Sequence, residues 1–130
     1  MELIVDTTLL IGIWRGQPWA VSFARANKRS MGFPWVVLGE FWQGAIRSGH
    51  DPEIVKQFLA VGLPLMDTEL VVPVYAELCS RLQDKSFYKG IGQNDLWIAA
   101  VGLAFDKPLV TRNRRHFDKI DGLKLEGLAP

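Results

Sequence analysis

Residues 91–100, Ile91-Gly92-Gln93-Asn94-Asp95-Leu96-Trp97-Ile98-Ala99-Ala100, place one acid where a polar, glycine-rich loop gives way to an apolar helix. Gly90 and Gly92 give the loop backbone freedom, and Asn94 is a good N-cap. Leu96, Ala99, Ala100 and Leu103 then recur at helical spacing, so the segment from Asn94 to about Phe105 reads as a helix with Asp95 in its first turn. Taken alone, such an acid is ordinary, because free N–H groups and the positive end of the helix dipole favour it. It gains chemical meaning only if other acids reach equivalent strand or helix ends and converge on one cation.

Downstream, Asp106 to Pro108 turn the chain, Leu109 and Val110 form a buried strand, and Thr111 to Asn113 are its polar exit. Arg114 to Ile120 read as one turn of helix and Leu123 to Glu126 as an edge strand. At the other end, Leu3 to Val5 are a buried strand finishing at Asp6, Thr7 and Thr8. Helices are predicted over Leu9 to Arg15 and Trp19 to Asn27, then an extended segment over Ser30 to Pro34. Val36 to Arg47 read as a helix with Val37, Phe41 and Ala45 on one stripe and Glu40 beside it. Asp51 and Pro52 start a helix that Gly62 ends; Leu63 to Met66 are a strand, and a longer helix runs from Asp67 or Thr68 to about Lys85. Apolar strands alternating with helices predict an α/β sandwich with a mostly parallel sheet, whose site lies at the carboxyl ends of the strands.

A chain of 130 residues with 48% hydrophobic content suits one domain, taken here as 1–130. Fifteen basic and 14 acidic side chains leave a net charge of +1, so no overall cationic field announces nucleic acid or membrane, and a polyanion must meet a local patch. A single cysteine, Cys79, forms no internal disulfide, and the opening MELIVDTT fits neither a signal peptide nor a membrane span. These features predict a cytoplasmic protein.

Asp6 ends the first strand, Asn113 follows the Leu109 to Thr111 strand, and Asp95 begins the helix feeding that strand. With Glu40 they form an oxygen-only donor set without histidine or cysteine, which suits a hard cation such as Mg²⁺ or Mn²⁺. Three carboxylates in a partly dry site repel one another unless a metal sits among them, and the chemistry expected of such an ion is phosphodiester hydrolysis. Taken singly, Asp6 is as readily a helix cap, Glu40 an exposed helix residue and Asn113 a turn residue; their convergence outweighs the separate alternatives. GxxxxGK[ST] and G-x-S-x-G are absent, Cys79 lacks a histidine partner, and His50 and His116 read as surface or turn residues. An aspartate-phosphorylating phosphatase wants a second acid two residues after Asp6, where Thr8 stands.

LIVDTT around Asp6, VVLGEF around Glu40 and GQNDLWIAA around Asp95, followed by LVTRNRRHF, resemble in order and spacing the PIN-domain ribonucleases, in particular the VapC-type toxins of bacterial toxin–antitoxin pairs. The resemblance covers nearly the whole chain. It implies a PIN-like three-layer α/β/α sandwich and a Mg²⁺- or Mn²⁺-dependent endoribonuclease, with Asp6, Glu40 and Asp95 as metal ligands. It also implies a homodimer and a small antitoxin whose tail enters the acidic site and whose other half binds operator DNA. After Thr111 the family often carries a fourth acid; this chain has Asn113 and His116 at the two positions concerned, and Asn113 is expected to hold a metal-bound water through its amide oxygen. A PIN-like module that binds RNA or protein without turnover is the alternative.

RNA reaching an acidic centre needs a basic rim, and Arg112, Arg114, Arg115 and Lys119 flank Asn113. Five tryptophans are many for one small core, and aromatics are favoured at interface centres, so Trp14, Trp19 and Trp42 are expected to line an antitoxin groove.

Overall fold

Each short apolar run becomes a strand and each amphipathic segment a helix in the computed structural model, which describes residues 1–128; the last two residues of the expected domain lie outside the described residues. In chain order the elements are β1 (Leu3–Val5), α1 (Thr7–Trp14), α2 (Pro18–Ala26), β2 (Met31–Pro34), α3 (Trp35–Arg47) and α4 (Pro52–Leu59). There follow β3 (Leu63–Leu65), α5 (Thr68–Leu82), α6 (Tyr88–Ile91), α7 (Gln93–Phe105), β4 (Leu109–Thr111), a 3₁₀ turn over Arg114–His116 and β5 (Leu125–Gly127). The sheet order is β3-β2-β1-β4-β5, and every neighbouring pair is parallel. The expected mostly parallel sheet is thus parallel throughout its described strands, in a PIN-like α/β/α arrangement.

β1 is central, with Ile4 opposite Gly32 of β2 on one side and Leu109 of β4 on the other. Leu3, Ile4, Val5, Leu109 and Val110 are fully buried, as strands covered on both faces must be. Because the strands run one way, the connecting helices run back. The starts of α1 and α3, the start of α7 and the end of β4 therefore share the carboxyl rim of the sheet.

Local chemistry set two helix starts. Asp6 caps α1 through the Leu9 N–H, so that helix begins at Thr7 rather than Leu9. α7 begins at Gln93 because Gly92, at φ 87°, occupies the cap position in a conformation that side chains disfavour. Asn94 is therefore not the cap, and its side chain is free for the site. The expected loop over Ser86 to Gln93 contains the one-turn helix α6.

Candidate active site

Asp6 is gripped by its own helix and by the neighbouring strand. Its Oδ1 accepts from the Leu9 backbone N–H at 3.1 Å, and Thr8 Oγ1 approaches both carboxylate oxygens, at 2.9 and 3.0 Å. Thr111 Oγ1, at the end of β4, donates to Oδ2 and accepts the Asn113 N–H at 2.9 Å. Leu9, Thr8 and Thr111 supply one hydrogen each to a carboxylate that, when ionised, only accepts, so each Asp6 oxygen is met by two donors. Asp6 is only 4% exposed, and burial raises its pKa above the ordinary value; the bonds from Thr111, Leu9 and Thr8 pull it down and the charge of Asp95 pushes it up.

Glu40, in the second turn of α3, is stapled to the neighbours of the other two acids. Its Oε1 accepts from Thr7 Oγ1 at 2.6 Å and its Oε2 from Asn94 Nδ2 at 3.3 Å. Asp95 lies in the first turn of α7 and is half-buried. Burial is again the largest cause raising its pKa, His116 opposes it, and the charge of Glu40 adds to the rise. Asp6 thus feels Asp95, and Asp95 feels Glu40.

His116 is the main departure from the sequence reading, which placed it on the surface. Its Nδ1 lies 2.6 Å from Asp95 Oδ2 and 2.8 Å from Asn113 Nδ2. One ring nitrogen carries either a proton or a lone pair, so it donates to Asp95 or accepts from Asn113, not both at once. Asn113 accordingly touches the site through its backbone, via Thr111, and through His116. The threonines, Asn94 as a partner of Glu40, and His116 are the site members sequence reasoning passed over. Only the threonines, as the polar ends of buried strands, carried any signal.

Among the described residues, no three histidine, cysteine, aspartate or glutamate side chains stand close enough to form a ready-made cage. That does not disqualify a Mg²⁺ site, since this ion usually keeps several waters and takes one or two carboxylates. The acceptor-only carboxylates of Asp6 and Asp95, close enough for the charge of one to raise the pKa of the other, fit such an ion.

The expected basic rim splits in two. Arg112 lies over the Trp19 ring, 4.3 Å from its centroid, and Arg114 packs beside Gly127 of β5. Arg115 and Lys119 instead line a hollow with His116 and Phe87. The three tryptophans proposed for one groove also separate. Trp14 packs edge-on against Phe41, Phe58 and His50, Trp42 lines a different hollow with Phe33 and Leu38, and Trp19 supports Arg112.

The family model of the PIN domain matches residues 3–123, and the chain belongs to that family. Among the solved structures it resembles is a VapBC complex at 25% identity, which points to the VapC-type toxins within that family. VapBC2 from Rickettsia felis, bound to a DNA fragment from its promoter, matches with 25% identity and a TM-score of 0.77, covering 99% of this chain and 100% of that one. DNA-bound VapBC from Salmonella typhimurium matches with 24% identity and a TM-score of 0.78 over 98% of each chain. VapBC-1 from nontypeable Haemophilus influenzae matches with 21% identity and a TM-score of 0.77 over 98% of each chain, and these last two bear on the fold alone. A search of the curated proteins found no match.

Proposed function

We propose that the chain is a metal-dependent endoribonuclease toxin that hydrolyses RNA phosphodiester bonds and is neutralised by a cognate antitoxin. The observation carrying this is that Asp6, Asp95 and Glu40, from three separate elements of a PIN fold, meet at one rim, with burial and like charge raising the first two. Asp6 and Asp95 would hold Mg²⁺ or Mn²⁺, with Glu40 reaching it directly or through water. The ion, when bound, supplies an acidified water and shields phosphate charge. This chain's residues do the rest: Thr8 and Thr111 fix the Asp6 carboxylate, Thr7 and Asn94 fix Glu40, and His116 packs its Nδ1 against Asp95 Oδ2. The likeness to a VapBC complex supports an antitoxin partner; DNA contact only through that antitoxin, a homodimer and a place in the cytoplasm complete the proposal.

The test is cleavage of a panel of structured RNAs by wild type and Asp95→Asn, with and without Mg²⁺ or Mn²⁺. Metal-dependent cutting by wild type alone is expected; no metal-dependent cutting by wild type overturns the proposal. A second reading, a PIN-like RNA- or protein-binding module without turnover, draws on Asn113 and His116 standing where a fourth acid is expected. Magnesium titration followed calorimetrically separates the two. A module of that kind binds its partner unchanged when the metal is removed.

A further inference from the structure

Two adjoining hollows extend from the carboxylate centre along α6 and the end of α5. The first, about 210 Å³, begins at His116, whose ring touches Asp95, and is lined by Arg115, Lys119, Phe87 and Gly90. The second, about 350 Å³, shares Phe87 and Lys119 with the first and adds Lys85, Arg81 and one acid, Asp121. Lys119 Nζ lies 5.2 Å from the centroid of the Phe87 ring. Among the described residues none of these four cations forms an ion pair with a carboxylate. On a chain of net charge +1, four unpaired cations around one ring are a local excess that a polyanion would neutralise.

We propose that a single-stranded stretch of the RNA runs from the carboxylate centre along this track, one base stacking on Phe87 while Arg115, Lys119, Lys85 and Arg81 take successive phosphates. The inference rests on the ribonuclease reading and adds the route and the unpaired state of the substrate. Lys119 lies over the ring and would swing from its face to a phosphate as a base takes its place; a ring flanked by cations then matches the alternation of base and phosphate in a single strand, whereas a duplex would hide its base faces. An acidic peptide would satisfy the cations but would leave the ring without a stacking partner. Arg112 and Arg114, engaged with Trp19 and β5, lie off this route.

The experiment is binding of a fluorescent single-stranded 12-nucleotide RNA to the whole chain in EDTA, where it is not cut, followed by anisotropy over a salt series. Lys85→Ala with Lys119→Ala should flatten the slope of log affinity against log salt by about 1.4, at about 0.7 per phosphate contact on a single strand. Phe87→Leu, which keeps apolar packing, should weaken binding roughly tenfold. Should Phe87→Leu unfold, Gly90→Leu gives a second test: an added Cβ there meets no atom within 4 Å, and Gly90 lines the first hollow, so the larger side chain should obstruct it and weaken binding comparably. An unchanged slope in the double lysine variant, or unchanged affinity in Gly90→Leu, overturns the track. So does a larger loss of affinity for a polyglutamate peptide than for RNA. Absence of metal-dependent cutting with the track variants still impaired in binding would instead sink the hydrolase and leave the track standing.

Discussion

Thr111→Val removes one oxygen from the centre of the site while preserving shape and strand propensity. The hydroxyl is fully buried, donates to Asp6 Oδ2 and accepts the Asn113 N–H at 2.9 Å. Losing a hydrogen bond to a charged group costs about 1.5–3 kcal/mol, and leaving the part-buried Asn113 N–H without its acceptor adds about 1 kcal/mol. The expected loss is therefore about 2.5–4 kcal/mol, or a fall in Tm of about 10–15 °C for a domain of this size. Thr111→Ser keeps the hydroxyl and loses one buried methyl, costing about 1–1.5 kcal/mol with its small cavity. Serine should thus be tolerated better than valine, the reverse of what hydrophobic packing alone dictates. The penalty for valine should also shrink in acid, because the Thr111 bond favours the ionised form of Asp6. Urea denaturation of the three proteins at neutral and acid pH reads this directly. Valine equal to wild type, or better tolerated than serine, would refute the role assigned to the hydroxyl.

Asp6 and Asp95 both have raised pKa values, chiefly from burial, so their contribution to stability is fully present below the ordinary carboxylate value near about 3.9 and is lost as pH rises through the raised ones. In EDTA the Tm of wild type should fall across that window relative to Asp95→Asn, and saturating Mg²⁺ should cancel the fall; parallel curves for the two proteins would contradict it. Arg29 Nη1 and Nη2 donate to the two Glu126 oxygens at 2.8 and 2.6 Å and hold the Glu126 pKa below its ordinary value. That stability is present above the ordinary value and lost as pH falls through the lowered one. With both side chains 37% exposed, Arg29→Ala should cost only about 0.5 kcal/mol, measured by urea denaturation, and less in high salt. A Cβ on Gly62 would stand 2.5 Å from Phe33 Cε2 and Cζ, and Phe33 is 1% exposed with little room to swing away. Gly62→Ala should destabilise by about 1–3 kcal/mol, and a Tm within a degree of wild type would show that the ring yields.

The fold was legible because its signals are local and repeated: buried apolar runs of three or four residues at Leu3–Val5 and Leu109–Thr111, separated by amphipathic helices, leave little but a parallel sheet. The three acids were legible for a related reason, since each lies at or near a helix start on the carboxyl rim. What the sequence concealed depends on longer reach. His116 looked like a surface residue because nothing near it in sequence demands a partner; Asp95 lies 21 residues away and is brought to it by the α7 to β4 crossover. Asn94 read as a helix cap by residue type, until Gly92 at φ 87° took that position and left its amide for Glu40. The arginines looked like one cluster because they are adjacent, yet Arg112 lies over Trp19 and Arg114 against Gly127 while Arg115 lines the hollow beside His116.

These misses share a cause that bears on how the site holds together. Three carboxylates from positions 6, 40 and 95 repel one another, and the fold holds them with neutral donors, two of which stand next to one acid in sequence and bond another. Thr7, next to Asp6, bonds Glu40; Asn94, next to Asp95, also bonds Glu40; Thr111, ending the neighbouring strand, bonds Asp6. Cross-bonding of this kind fixes the spacing between like charges without neutralising them. His116 alone among the direct partners can carry positive charge, and its Nδ1 lies between Asp95 and the Asn113 amide. The centre is therefore preorganised yet left with net negative charge, which is the condition under which a divalent cation gains most by binding.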